Sequence, residues 1–210
     1  MSEDLKEYWR KAHIEKNSNL LTGTSGERTL ANLQITSRIE SGITVLEIGV
    51  GDGRSIREMV ERGVKMSAVD IVPEAFECIK DLPVKVYLED QLGTLPDLYF
   101  DLAISHQVAC HQSNDTLREQ IRNVVRSLVP TGLFAILVAR MSFYPLNISW
   151  DYTNDIENIK AGARTRDYEE MVQLIKEAGG RSVHISSSLR DDSWIYNYVV
   201  HIMKAKHDET

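Results

Sequence analysis

The sequence predicts an α/β fold in three layers, a mostly parallel sheet with helices on both faces. Three observations carry that prediction. Short β-branched and apolar runs alternate with stretches of helical periodicity, as βαβ units require. A glycine-rich turn joins the first such run directly to a helical pattern. The last two runs follow one another with no helix between them, which predicts an antiparallel hairpin at the sheet edge.

The strand candidates are Thr44–Ile48, Met66–Val72, Val84–Leu88, Phe100–Ser105, Leu133–Val138, Arg181–Ser187 and Ile195–Lys204. In the last of these, Tyr196, Tyr198, Val200 and Ile202 alternate with Asn197, Val199, His201 and Met203, so the two sets face opposite ways. Between strands, Arg54–Arg62 carries Ile56, Met59 and Val60 on one face and stops at Gly63, which suits the left-handed position after a helix. Pro73 suits the first position of a helix running through Phe76 and Ile79. Thr116 and Glu119 have capping-box spacing at the head of an apolar stripe, Leu117, Ile121, Val124, Val125 and Leu128, that ends before Pro130. A last helix, Arg166–Ala178, stripes Tyr168, Met171, Val172 and Ile175 and ends at Gly179-Gly180. No repeat or low-complexity linker intervenes, so residues 1–210 read as one domain. Residues 1–43 are its N-terminal helical segment and 140–165 an aromatic-rich insertion.

Composition narrows the function without naming it. The chain has 210 residues with 24 Lys+Arg against 31 Asp+Glu, a net charge of −7 that argues against gripping a nucleic-acid backbone. No run of ~18 apolar residues is present and the N-terminus opens with charges, so neither a membrane span nor a secretory leader is expected. Cys78 and Cys110 lie far apart with no metal-ligand spacing, and they read as two reduced thiols of a cytoplasmic protein.

The sharpest local signal is Val45-Leu46-Glu47-Ile48-Gly49-Val50-Gly51-Asp52-Gly53-Arg54. In an open parallel sheet such a turn lies at the carboxyl end of a strand, where ligands bind, and glycine lets a ligand rest against the main chain. The dinucleotide fingerprint places its third glycine one residue later, at the position of Arg54. Glu47, just before the turn, would repel a pyrophosphate and suits a ligand with a positive centre.

With these residues the chain resembles the class I S-adenosylmethionine-dependent methyltransferases, from about Thr44 to the C-terminus. VLEIGVGDG looks like the family's first motif, which wraps the methionine part of the cofactor, and so implies roles for Glu47, Gly49, Gly51 and Gly53. Asp70, followed by Ile71, matches the acidic residue that binds the ribose hydroxyls, and a carboxylate can accept both hydrogen bonds. Asp90 matches the acidic residue near the adenine amino group; the spacing to the next Leu-Pro is one residue short, so Glu89 or Gln91 could share that role. FDLAISHQVACHQ, including Ser105, matches the fourth motif, and the following helix and strand arrive in the family's order. The resemblance implies a Rossmann-like fold whose seven-stranded, mostly parallel sheet has one antiparallel strand at the edge. It also implies S-adenosyl-L-methionine as cofactor and S-adenosyl-L-homocysteine as product.

The acceptor side is read from position and chemistry. His106 follows the fourth strand and His111 lies near the next helix start, and histidine titrates near neutrality, so either is a candidate base for a hydroxyl acceptor. Both could instead be contact residues with no proton to move. Asn114 and Asp115 read as helix caps, and no metal requirement is expected. Arg140, Phe143, Tyr144 and Trp150 in the insertion are the candidate substrate contacts, with Arg164 and Arg166 as further clamps for an anionic group. The expected partner is a small-molecule methyl acceptor, neither nucleic acid nor membrane, with O-methylation favoured over N-methylation. The oligomeric state is not readable. An NAD(P)-dependent oxidoreductase and a non-catalytic, cofactor-binding regulator stay open as other classes; the glycine spacing counts against the first.

Overall fold

The computed structural model describes residues 3–16, 26–141, 166–188 and 195–205, with side chains for all of these except 26, 139–141, 187–188 and 195–197. Two N-terminal helices, α1 (Glu3–Ile14) and α2 (Gly26–Asn32), precede the sheet. Then follow β1 (Thr44–Ile48), α3 (Arg54–Glu61), β2 (Lys65–Asp70), a 3₁₀ segment (Pro73–Ile79), β3 (Lys85–Leu88), a second 3₁₀ segment (Glu89–Thr94) and β4 (Phe100–Ser105). A short 3₁₀ turn (Ala109–His111) leads to α4 (Asn114–Ser127), β5 (Leu128–Met141), α5 (Tyr168–Glu177), β6 (Gly180–Ser188) and β7 (Ile195–Lys204).

The seven strands form one sheet in the order β3-β2-β1-β4-β5-β7-β6. All described pairings are parallel except those of β7, which runs antiparallel to both β5 and β6. The closing hairpin therefore inserts its second strand between β5 and the edge strand β6. The strand order reverses between β1 and β4, and that reversal opens the crevice in which a sheet of this kind binds its ligand.

Strand alternation builds two cores, one on each face. On β5, Phe134, Ile136 and Val138 pack with Leu117, Ile121, Met171 and Ile175 of α4 and α5. Leu133, Ala135 and Leu137 face the other way, among Leu30, Ile56, Met59 and Ile79. Tyr198, Val200 and Ile202 of β7 join the first core and Val199 the second, the partition the period-two pattern predicts. Regular β4–β5 pairing starts at Leu133, because the register shifts after Phe100 pairs with Leu128.

Two local expectations change. Helix α4 is capped by Ser113, whose hydroxyl accepts from the Thr116 N–H at 3.1 Å, so Thr116 is the third helical residue and not the cap. Ser113 supplies the same hydroxyl-to-amide bond three residues earlier and leaves Thr116 Oγ1 to pair with Ser113 Oγ at 2.8 Å. Pro73 does begin a helical segment, but a 3₁₀ one. Asp167 caps α5 by accepting from the Glu170 N–H at 2.8 Å.

Candidate functional site

The crevice is floored by the turn after β1. Gly49, Gly51 and Gly53 all take left-handed φ, at +85°, +56° and +74°, where a Cβ is strained. Two of them also solve packing problems. A Cβ on Gly49 would stand 2.3 Å from Val108 Cγ2, and one on Gly53 2.6 Å from Ile79 Cγ2. Gly49 thus admits the loop after β4 against the turn, independently of any ligand.

Glu47 lies beneath this turn, buried, with the Ser55 hydroxyl donating to Oε1. Its Oε2 is buried without a hydrogen-bond partner among the described residues. Burial pushes its carboxyl up to about 8, opposed by the Ser55 bond. A cation placed at Oε2 would restore the charged form.

Asp70 ends β2 and joins the two turns. Its Oδ2 accepts from the Val50 N–H at 2.9 Å, and Oδ1 accepts from the N–H groups of Ile71 at 2.7 Å and Val72 at 3.3 Å. Burial raises its carboxyl, opposed by the Val50 bond, the nearby charge of His13 on α1 and the other amides. A carboxylate has about four acceptor positions, so one remains for a hydroxyl. Ile71 is half-buried beside it and borders a cavity of about 610 Å³, within the usual size of a small-molecule site.

That cavity lies at the carboxyl end of β3, between α1 and α4. Asp90 and Glu89 both border it, but they differ: Asp90 is exposed, whereas Glu89 is half-buried and its carboxyl is raised by that burial. Gln91 does not border it; its Oε1 accepts from the Leu88 N–H at 2.9 Å and closes the 3₁₀ segment.

The loop after β4 forms the opposite wall. Ser105 is fully buried, and its Oγ has no partner among the described residues. His106 is half-buried, with Nε2 3.2 Å from Asn32 Nδ2 of α2. An amide nitrogen donates, so in this arrangement Nε2 accepts and the neutral ring carries its proton on Nδ1. His111 is half-buried and stands edge-on to Trp9 of α1, with ring centroids 5.0 Å apart. Helix α1 therefore crosses this end of the sheet, pinned also by the Arg10–Glu74 ion pair at 3.2 Å.

Arg166 corrects an expectation. Instead of clamping an acceptor it is buried, donating to Ala109 O at 2.6 Å, to Gln112 O and to Asn114 Oδ1 at 3.0 Å. Asn114 in turn donates to Glu170, and Asp115 pairs with Arg118, so neither caps α4. The backbone of Arg140 lies in β5 opposite Tyr196. Its side chain, and all of Phe143, Tyr144, Trp150 and Arg164, fall outside the described residues. Among the described residues no cluster of three or more His, Cys, Asp or Glu could hold a metal ion, and Cys78 and Cys110 form no disulfide.

Sequence reasoning passed over Arg166 as a loop anchor, His13, and the Gln112–Gln120 pair, in which Gln112 Nε2 donates to Gln120 Oε1 at 2.6 Å. Only the last left a trace: Gln120 interrupts the buried stripe of α4 between Leu117 and Ile121.

The sheet order, the turn at its switch point and the acidic residues at successive strand ends define a class I methyltransferase fold. Residues 46–136 match the family described as a methyltransferase domain. The chain carries an S-adenosylmethionine-dependent methyltransferase domain. No curated protein matches the sequence. Among solved structures it is similar to the 1,6-didemethyltoxoflavin-N1-methyltransferase of Burkholderia thailandensis, with S-adenosylhomocysteine bound. The identity is 20%, the coverage 96% of this chain and 88% of that one, and the TM-score 0.71. A Rhodobacter sphaeroides structure, whose description as a zinc-dependent alcohol dehydrogenase is itself provisional, gives 17%, 98%, 99% and 0.70. Mitomycin 7-O-methyltransferase gives 18%, 84%, 54% and 0.63, so this chain spans about half of its length. At these identities the likeness is one of fold. Among the described residues no helix is long and apolar enough to cross a membrane.

Proposed function

We propose that the protein transfers a methyl group from S-adenosylmethionine to a small-molecule acceptor, by O-methylation in preference to N-methylation. The observation that carries the cofactor's placement is Glu47: a fully buried carboxyl with one unpaired oxygen under three left-handed glycines fits the cationic methionine end of such a cofactor. When bound, that cofactor supplies an electrophilic methyl for in-line displacement. Gly49, Gly51 and Gly53 give it close backbone approach, and Asp70 with Ile71 and Ser105 bounds its nucleoside. Glu89 and Asp90, with Gln91 holding their loop, face the base.

A small-molecule acceptor is supported by the similar structures, whose described substrates are small molecules. Since one is an N- and one an O-methyltransferase, the preference for oxygen rests on the two histidines. The role of His111 or His106 is to take the acceptor's hydroxyl proton onto a ring nitrogen as the oxygen attacks. His106 Nε2 faces Asn32, and His111 stands edge-on to Trp9 of the helix that covers this end of the sheet. Helix α1 covers the cofactor side, and the 140–165 insertion, with Arg140, Phe143, Tyr144 and Trp150, shapes the acceptor side of the same domain.

A thermal-shift series tests the cofactor. At about 100 times Kd a specific ligand stabilises by roughly 2.7 kcal/mol. The rise is expected with S-adenosylmethionine and S-adenosylhomocysteine and not with NAD or NADP; the reverse pattern would install the oxidoreductase reading. Once an acceptor is found, His111→Gln should lower kcat at least tenfold, and unchanged turnover would leave alignment as the whole of catalysis.

A further inference from the structure

The Gln112–Gln120 pair is 1% exposed at both residues, joined by the 2.6 Å bond, and incomplete. Gln112 Nε2 spends one hydrogen on Gln120 Oε1 and the other on Glu89 Oε1 at 3.5 Å. Gln112 Oε1 and Gln120 Nε2 are left buried without partners among the described residues. Idle buried amide atoms are costly, and the one on Gln120, which borders a cavity, calls for an occupant that completes it.

Glu89 fixes the polarity of the chain. An ionised carboxylate only accepts, so Gln112 must turn its nitrogen toward it. The same nitrogen then donates to Gln120, which forces Gln120 to hold its oxygen inward and its nitrogen free. The sequence of idle groups is carboxylate acceptor, amide acceptor, amide donor. Gln120 and Glu89 both border the 610 Å³ cavity, whose walls include the apolar Ile71, Leu88 and Leu92.

Gln112 does not border that cavity, so a flat ligand edge there meets Glu89 and Gln120 and needs an N–H donor beside a ring acceptor. Adenine presents that edge through its N6 amino group and N1. A 6-oxopurine reverses it, setting its O6 against the carboxylate and its N1–H against the Gln120 donor. We propose that Gln120, oriented through Gln112 by Glu89, reads the amino edge of the cofactor's adenine and excludes 6-oxopurine counterparts. This rests on the cofactor reading above, and makes Gln120 a specificity residue in place of the exposed Asp90.

The test is calorimetric binding of S-adenosylhomocysteine and its 6-oxo counterpart, S-inosylhomocysteine, to the unaltered chain and to Gln120→Met and Gln120→Glu. The unaltered chain should prefer the adenine ligand at least about tenfold, the scale of one mismatched hydrogen bond. Gln120→Met should weaken S-adenosylhomocysteine about tenfold and narrow the preference. Gln120→Glu sets an acceptor against N1 and should move the preference toward S-inosylhomocysteine. Equal binding of the two ligands by the unaltered chain overturns the proposal, even if the variants do not fold. So does a folded Gln120→Met that binds and discriminates like the parent. If the unaltered chain binds neither ligand, the cofactor reading itself fails and the proposal falls with it.

Discussion

Two walls face each other across the crevice, and they are held in different ways. The turn after β1 is closed by its neighbours: Gly49 N–H continues the ladder to Val69 O at 2.8 Å, and Asp70 collects the amides of Val50, Ile71 and Val72. The loop after β4 has a few bonds of its own, such as His111 N–H to Val108 O at 2.9 Å. It is otherwise fixed from far along the chain, by Asn32, by Trp9 and above all by Arg166. The first wall is a backbone cradle; the second is a loop suspended from three other elements. Damage to the first should therefore act on cofactor binding at once, and damage to the second should reach the site through loop position.

The largest effect expected is at Arg166. Replacing it with Met strands the Gln112 carbonyl and the Asn114 oxygen, each costing roughly 1–3 kcal/mol when left unpaired in the interior, and leaves Ala109 O with only the Gln112 N–H at 3.3 Å. Urea denaturation should show a loss on the order of 3–6 kcal/mol, with Lys recovering part of it. A loss below about 1 kcal/mol would mean that the loop is held by its own bonds and the contrast between the walls is wrong.

Gly49→Ala tests the other wall. The left-handed φ costs about 1–2 kcal/mol with a Cβ, and the contact with Val108 adds roughly 1–3 kcal/mol of overpacking. Adding Val108→Ala should return the packing part only, and cofactor affinity should stay reduced because the strained turn persists. Full recovery in that double variant would show that the glycine serves packing alone.

The same contrast explains what was legible in the sequence. The cradle is written in contiguous residues, Glu47 to Arg54, and the positive φ of three glycines turns that spelling directly into shape. The strand pattern was equally local, and β5 and β7 divide between the two cores as their alternation requires. The suspended loop could not be read this way, because Arg166 looks like any other arginine until the fold places it beside Ala109. Its exposed-looking chemistry pointed to an acceptor clamp, and burial assigns it to backbone carbonyls. The capping-box spacing at Thr116 misled for a related reason: Ser113 offers the same hydroxyl one turn earlier, on the extended backbone that a cap position takes.

Glu47 gives a smaller effect with a definite sign. Its folded carboxyl stands at about 8 against an ordinary 4.5, so below 4.5 it is protonated in both folded and unfolded chains and carries no penalty. Between 4.5 and about 8 the unfolded chain ionises while the folded one holds its proton, and stability falls as pH rises; above about 8 the loss is complete. Glu47→Gln should therefore melt higher than the parent without ligand, by a margin that grows across that window. The same variant should bind S-adenosylmethionine more weakly, since the charge that a cationic ligand restores is gone. A margin independent of pH would place the carboxylate in contact with solvent or a cation.

The smallest change is expected at Trp9, where α1 meets the suspended loop. An aromatic edge-to-face pair contributes about 0.5–1.5 kcal/mol beyond its area, so Trp9→Leu, which keeps an apolar side chain against the body, should cost little stability. Its effect should appear instead in turnover, because His111 loses its ring contact with α1. If His111 is the base, kcat falls several-fold while cofactor affinity holds, and combining Trp9→Leu with His111→Gln adds nothing further, since both remove one function. Additive losses in the double variant would mean that α1 acts on the site through the cavity beside Lys6 and Arg10, and the two walls would then be coupled through the cofactor side.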